Sequence, residues 1–245
     1  MAILRLDKML SHVGYGSRKE IKLLLREGIV TVDGEIAARP EMKIDTEKQT
    51  VVCDGNPVAY DTSYRYYMMN KPAGVISASY DPHGEEETVI DLLDDDTVMF
   101  DLFPVGRLDK DTVGLLLLTN DGLFAHRALS PKKHVAKTYY ATLSEDLTTA
   151  DVDAFLKGVA LDDGYTCLPA TLNILCAREA EVVIMEGKYH QVKRMFAARG
   201  KTVLTLQRTA FGSLPLDPAL EEGEYRPLTD AELETLGVRP SEPIA

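Results

Sequence analysis

The chain of 245 residues has no tryptophan and only three cysteines. No apolar run approaches the roughly 18 residues a membrane span needs. Its start, Met1-Ala2-Ile3-Leu4-Arg5-Leu6-Asp7, lacks the basic flank and apolar stretch of a secretory leader, so a soluble, cytoplasmic protein without membrane contact is expected. Cys53, Cys167 and Cys176 are odd in number and lack the close Cys/His spacing of a zinc site, which argues against a disulfide framework and a structural metal and for reduced core thiols. Glycine-rich phosphate loops, internal repeats and low-complexity tracts are also absent.

Basic residues are outnumbered, 27 against 39 acids, for a net charge of −12. At first sight this disfavours a nucleic-acid partner, since phosphate binding needs a positive surface. The acids are local, however. Nine lie in residues 81–101 with no Lys or Arg, and eight lie in 217–245 against Arg226 and Arg239. Outside these segments 22 acids face 25 bases. Gly187 to Arg208 carries six bases and no acid. A polarised molecule is expected, with phosphate guided to one face.

Residues 1–58 read as a separate module. Leu6, Met9, Leu10 and Val13 form the stripe of a short helix ending at Gly14 and Gly16. Ser17 and Glu20 are a capping box that opens a second helix with Ile21, Leu24 and Leu25 inward. Arg5, Lys8, Arg18, Lys19, Lys22 and Arg26 make the outer face basic, and Asp33-Gly34 signals a type I′ hairpin. This pattern, RLDKMLSHVGYGSRKEIKLLLREGIVTVDGEIA, resembles the S4-type (alpha-L) RNA-binding domain, which implies RNA contacts at Arg5, Lys8, Arg18, Lys19 and Lys22.

A linker at 59–65 leads to a second domain at 66–238, followed by a tail at 239–245. Strands are expected at Tyr66–Met69, Val75–Ser79, Val113–Leu118, Lys137–Leu143, Thr171–Leu175, Glu181–Met185 and Thr202–Arg208. Helices are expected at Val89–Leu93, Leu123–Leu129, Thr149–Gly158 and His190–Ala198. Irregular alternation at hairpin-scale spacing favours an α+β fold with a mixed, mostly antiparallel sheet and flanking helices.

Asp109 stands in a loop that feeds four consecutive leucines, a setting able to hold a carboxylate at a pocket mouth. The segment GRLDKDTVGLLLLTNDG, Gly106 to Gly122, resembles the signature of the small-subunit-type pseudouridine synthases, in which the Asp of GRLD is catalytic. MMNKPAG (68–74), KTYYATL (137–143), EGKYHQVKRMF (186–196) and GEYRPLTDAEL (223–233) are similar to further motifs of that family. The resemblance implies an isomerase of the intramolecular transferase class. Asp109 would attack carbon 1′ of the ribose or remove a 2′ proton, Lys193 would pair with Asp109, and Tyr139 would stack on the uracil and move the carbon 5 proton. Arg107, Leu108, Arg194 and Lys71 would bind substrate, and Lys132, Lys133 and Lys137 would join the RNA-binding set. No metal or organic cofactor is implied.

DGNPV (54–58), HQVKRMFAARG (190–200) and GEYRPLT (223–229) are similar to the branch that modifies uridine 516 of 16S rRNA. A monomer acting on a small-subunit assembly intermediate is the expectation. Large-subunit enzymes of the same family, and a non-catalytic ribosome-assembly factor, are the alternatives. A metal-dependent nuclease using Asp109, Asp111 and Asp121 is a third, disfavoured by the spacing of those acids.

Overall fold

A computed structural model describes residues 3–46, 48–58, 63–98, 100–130 and 133–238. The chain divides into two compact units, Met1–Tyr64 with Asp94–Asp101, and Arg65–Leu93 with Leu102–Ala245. Part of the 59–65 linker and the whole 239–245 tail lie outside the described residues.

The first unit comprises β1 (Ile3–Arg5), α1 (Leu6–His12), α2 (Arg18–Arg26), β2 (Val30–Val32), β3 (Glu35–Ile36), β4 (Lys43–Asp45), β5 (Val51–Cys53) and β6 (Asn56–Pro57), with α3 (Asp95–Val98) from later in the chain. The capping box forms: Glu20 N–H donates to Ser17 Oγ, and Ser17 N–H donates to the Glu20 carboxylate at 2.7 Å. Both turn residues of the hairpin, Asp33 and Gly34, take positive φ (52° and 88°), as a type I′ turn requires. Leu6, Leu10, Ile21, Val30 and Ile44 are fully buried in the core between helices and sheet.

The second unit comprises β7 (Tyr66–Lys71), β8 (Phe103–Pro104), β9 (Val113–Thr119), α4 (Gly122–Leu129), β10 (Lys137–Leu143), α5 (Thr149–Lys157), β11 (Thr171–Cys176), β12 (Glu179–Ile184), α6 (Gln191–Ala197), β13 (Val203–Phe211), β14 (Leu214–Pro215), β15 (Tyr225–Pro227) and α7 (Asp230–Thr235). Among the described residues these strands form one nine-stranded sheet, ordered β11-β12-β10-β13-β9-β7-β15, with β14 beside β13 and β8 beside β9. The β9–β13 pairing is parallel and the others are antiparallel. That parallel seam needs Gly114: a Cβ there would lie 2.4 Å from the Arg208 carbonyl oxygen. Leu115, Leu116 and Leu118 of β9 are wholly buried, which explains a run without alternation.

Three sequence expectations are corrected. Val75–Ser79 is a loop that touches Thr88 through one isolated bridge at Ile76, because its backbone bonds go to neighbouring loops. Val89–Leu93 is a run of turns fixed by Asp91, whose carboxylate accepts from the Thr88 N–H and hydroxyl, both at 2.8 Å; the helix comes later, at α3. Cys176 is exposed, since β11 is an edge strand, whereas Cys53 and Cys167 are buried. Thr229 and Glu232 form a capping box that opens α7, a helix outside the sequence expectations.

Candidate active site

The loop that carries Asp109 is anchored by residues far from it in sequence. Lys71 ends β7 wholly buried, and its ammonium donates to the carbonyls of Pro72 (2.9 Å) and Thr112 (3.0 Å) and, more weakly, of Lys110 (3.4 Å). Burial pushes Lys71 down to about 8 against the pull of Asp111 and Asp109. Gly74 N–H donates to the Lys110 carbonyl at 2.8 Å. Ser77 clasps the backbone of Leu108 from both sides, donating to its carbonyl and accepting from its N–H at 3.0 Å.

So held, Asp109 lies at a cavity of about 420 Å³ within the second unit. The cavity is lined by Arg107, Leu108, Asp109 and Thr112 of the loop, Lys137 and Tyr139 of β10, His190 before α6, and Leu206 and Arg208 of β13. The Asp109 side chain keeps 24% of its surface exposed, enough to meet a substrate. Lys193 Nζ stands 3.1 Å from its Oδ2, and His190 Nε2 is 3.5 Å from Oδ1. Lys193 also donates to Asp111. Burial lowers Lys193, but its bonds to Asp111 and Asp109 outweigh this and hold it above the usual lysine value; the same bond to Lys193 lowers Asp111. His190 takes a left-handed backbone (φ 47°) and stacks its ring on Tyr189, with centroids 3.8 Å apart.

Tyr139 is 7% exposed and faces Arg208 directly across the β10–β13 ladder. Lys137 and Tyr139, like Leu206 and Arg208, are alternate residues that share the cavity face, while Tyr140 and Gln207 turn to the other. Arg208 is 2% exposed; its Nε donates to the Leu115 carbonyl at 2.6 Å. Thr112 Oγ1 and Arg208 Nη2 are buried atoms with no hydrogen-bond partner among the described residues. Burial first, and Arg208 second, pull Lys137 down to about 8.

Several site expectations change. Lys71 has no surface to offer a substrate; it is a clasp for the loop. Arg194 is occupied by Asp162 and Asp163, which hold its guanidinium away from the cavity lining. Arg5 pairs with Asp7 through two bonds of 2.9 and 2.8 Å, and Lys8 lies 3.9 Å from Asp101. Lys137 belongs to the cavity wall, because strand alternation turns it inward with Tyr139. Lys19, Lys22 and Lys133 are exposed. Lys132 and the side chain of Arg18 lie outside what is described. Asp121 caps α4, accepting from the Leu123 and Phe124 N–H groups at 2.9 Å, and is spent for metal binding. Among the described residues no three His, Cys, Asp or Glu side chains gather to hold an ion. His190, Ser77 and Thr112 have no site role in the sequence reading, and Asp111 enters there only as a candidate metal ligand; the motifs surrounding Asp109 and Lys193 are the available signal.

Residues 65–198 match the family described as RNA pseudouridylate synthase, and residues 4–49 match the S4 domain. The chain is 47% identical over 237 residues to the uncharacterized RNA pseudouridine synthase YtzG of Bacillus subtilis (strain 168), covering 95% of this chain and 98% of that protein. It is 42% identical over 231 residues to ribosomal small subunit pseudouridine synthase A of Escherichia coli (strain K12), covering 94% and 98%. A crystal structure of a pseudouridylate synthase superposes with a TM-score of 0.68 at 38% identity, over 95% of this chain and 99% of that one.

Proposed function

Because the chain belongs to the RNA pseudouridylate synthase family and carries an S4 domain, we propose that it isomerises one uridine of ribosomal RNA, uridine 516 of 16S rRNA, with Asp109 acting on the ribose. Pseudouridylation breaks the N-glycosidic bond, turns the uracil and rejoins it through carbon 5, with no redox change and no atoms gained. The observation that carries the reading is the 3.1 Å pairing of Lys193 with Asp109 beside a cavity walled by Tyr139. An ionised Asp109 serves both routes, attack on carbon 1′ or removal of the 2′ proton. Lys193 holds that charge and orients it. Tyr139 offers a ring face for the flipped base and a phenol for the carbon 5 proton.

The uridine leaves its stack to reach Asp109, at a cost of a few kcal/mol that stacking on Tyr139 and backbone contacts offset. Arg107, exposed on the cavity rim, is placed to take an adjacent phosphate. The choice of small-subunit rRNA rests on similarity to proteins bearing that name, at 41 to 42% identity over nearly their whole length. A partly assembled small subunit is the proposed substrate and a monomer the proposed form.

The test is carbodiimide mapping of pseudouridine by primer extension in rRNA from cells with and without this protein. Loss of one stop, at 16S position 516, is the expected result. A lost stop in large-subunit rRNA would move the target, and an unchanged map would overturn the reading.

A further inference from the structure

Of the cations that line the Asp109 cavity, the two that are buried or half-buried, Arg208 and Lys137, have no carboxylate in salt-bridge reach among the described residues. Arg208 is almost wholly buried, is tied by Nε to the Leu115 carbonyl, and leaves Nη2 unpartnered. Lys137 donates to one backbone carbonyl, that of Val135, at 3.0 Å. Both sit near one ring: Phe211 has its centroid 5.6 Å from Lys137 Nζ and 5.7 Å from Arg208 Cζ. The acid whose charge reaches Lys137 is Glu186, and its oxygens are committed to the Tyr165 hydroxyl, the Leu168 N–H and the Gln191 amide. Holding an uncompensated guanidinium beside an ammonium under cover is costly for folding. An unsatisfied buried group at a site calls for a ligand that completes it.

We propose that Arg208 and Lys137 form a cationic floor that stabilises the uracil as it leaves the ribose with the bonding electron pair. The inference rests on the reading of Asp109 as the group acting on the ribose. When N1–C1′ breaks, its electrons stay on the uracil as an anion spread over N1, O2 and O4. C1′ meanwhile bonds to Asp109 or, in the other route, a C1′–C2′ double bond forms as the 2′ proton passes to Asp109. Carbon 5 then bonds to C1′ as the Asp109 oxygen departs or the 2′ proton returns, and the carbon 5 proton is lost while N1 gains one. Charge therefore develops on the carbonyl oxygens of the base only after the bond begins to break. Fixed cations placed there in advance favour that transition state over the neutral bound uridine. Tyr139, directly opposite Arg208, holds the ring over this floor.

The experiment compares Arg208→Gln and Lys137→Met with the wild type in single-turnover cleavage of the N-glycosidic bond, using the same rRNA fragment with uridine or 5-fluorouridine at the target. Fluorine withdraws electrons and already stabilises the departing anion. On uridine each variant is expected to lose about 100-fold in rate, the scale for removing one preorganised charge-stabilising donor. On 5-fluorouridine the loss shrinks to less than about tenfold, and RNA affinity stays within about threefold. Equal losses on both bases overturn the proposal, as does a fall in affinity that matches the fall in rate, which marks a phosphate contact instead. Should Arg208→Gln fail to fold, Lys137→Met carries the same two-substrate comparison alone. A wild-type protein inactive on every rRNA would refute the functional reading itself, an outcome distinct from uniform losses in the variants.

Discussion

The ammonium of Lys193 stands 3.1 Å from the carboxylate of Asp109 while also donating to Asp111 on the same loop. One cation thus serves two carboxylates with different exposure, Asp109 at 24% and Asp111 at 76%. If Asp109 engages a substrate, Lys193 keeps a partner, so the step does not strand a half-buried charge.

Asp109→Asn retains the shape of the loop and removes the charge. Pseudouridine formation on an rRNA fragment is expected to fall below detection, with RNA affinity within a few fold by filter binding. Retained turnover would remove Asp109 from the chemistry.

The shared ammonium separates its two acids. Lys193→Met should lower the turnover rate by about 100-fold or more, as the loss of a charge-assisted bond at a reacting group implies. Asp111→Asn should lower it by less than about tenfold, because Lys193 still faces Asp109. Single-turnover kinetics reads both, and a reversed order would make Asp111 the reacting carboxylate.

Lys71→Met removes the donor to two carbonyls of the Asp109 loop, those of Lys110 and Thr112, and to that of Pro72, and relieves one buried ammonium. The net loss is about 2 kcal/mol, a fall in melting temperature of about 4–8 °C for a chain of this size. Turnover should fall with it, since the loop that aims Asp109 is loosened. A variant as stable as the parent would deny the clasp.

Acid titration reports on the C-terminal closure. Arg226, bonded to Glu232 at 2.7 Å and to Asp217 at 2.6 Å, holds the Glu232 carboxyl down at about 2, below its ordinary 4.5. A carboxyl lowered in the folded state contributes stability that is complete above pH 4.5 and is lost as pH falls toward 2. The contribution is about 3 kcal/mol at most. Glu232→Gln should flatten the difference in unfolding free energy between pH 5 and pH 2.5, measured by urea titration.

Charge reversal on the first unit tests its expected RNA face. Lys19→Glu with Lys22→Glu, both on the exposed face of α2, should weaken rRNA binding and reduce the slope of log affinity against log salt by about 2. An unchanged slope would make α2 a bystander.

Local signals carried most of the fold. The Ser17–Glu20 box, the Asp33-Gly34 turn and the leucine run of β9 were all legible because each depends on neighbouring residues alone. Segments 75–79 and 89–93 differ from expectation because the Asp91 carboxylate sets the turns after Thr88, and the Ile76 backbone bonds to Glu87 and Val89 in a loop instead of to a strand. At the site, motifs pointed to Asp109, Tyr139 and Lys193, and the three do line or border one cavity. The fates of Lys71, Arg194 and Lys137 were not legible. Whether a cation meets water, an acid or a carbonyl depends on tertiary neighbours such as Thr112, Asp162 and Phe211.

The parallel seam between β9 and β13 also bears on when this protein becomes active. Asp109 precedes one side of the seam, and Tyr139, Lys193 and Arg208 belong to the other, so no stretch of chain shorter than Asp109 to Arg208 contains the site. Joining strands so distant in sequence is among the slower steps of a folding reaction. During synthesis the site therefore stays incomplete until β13 has emerged and docked against Gly114.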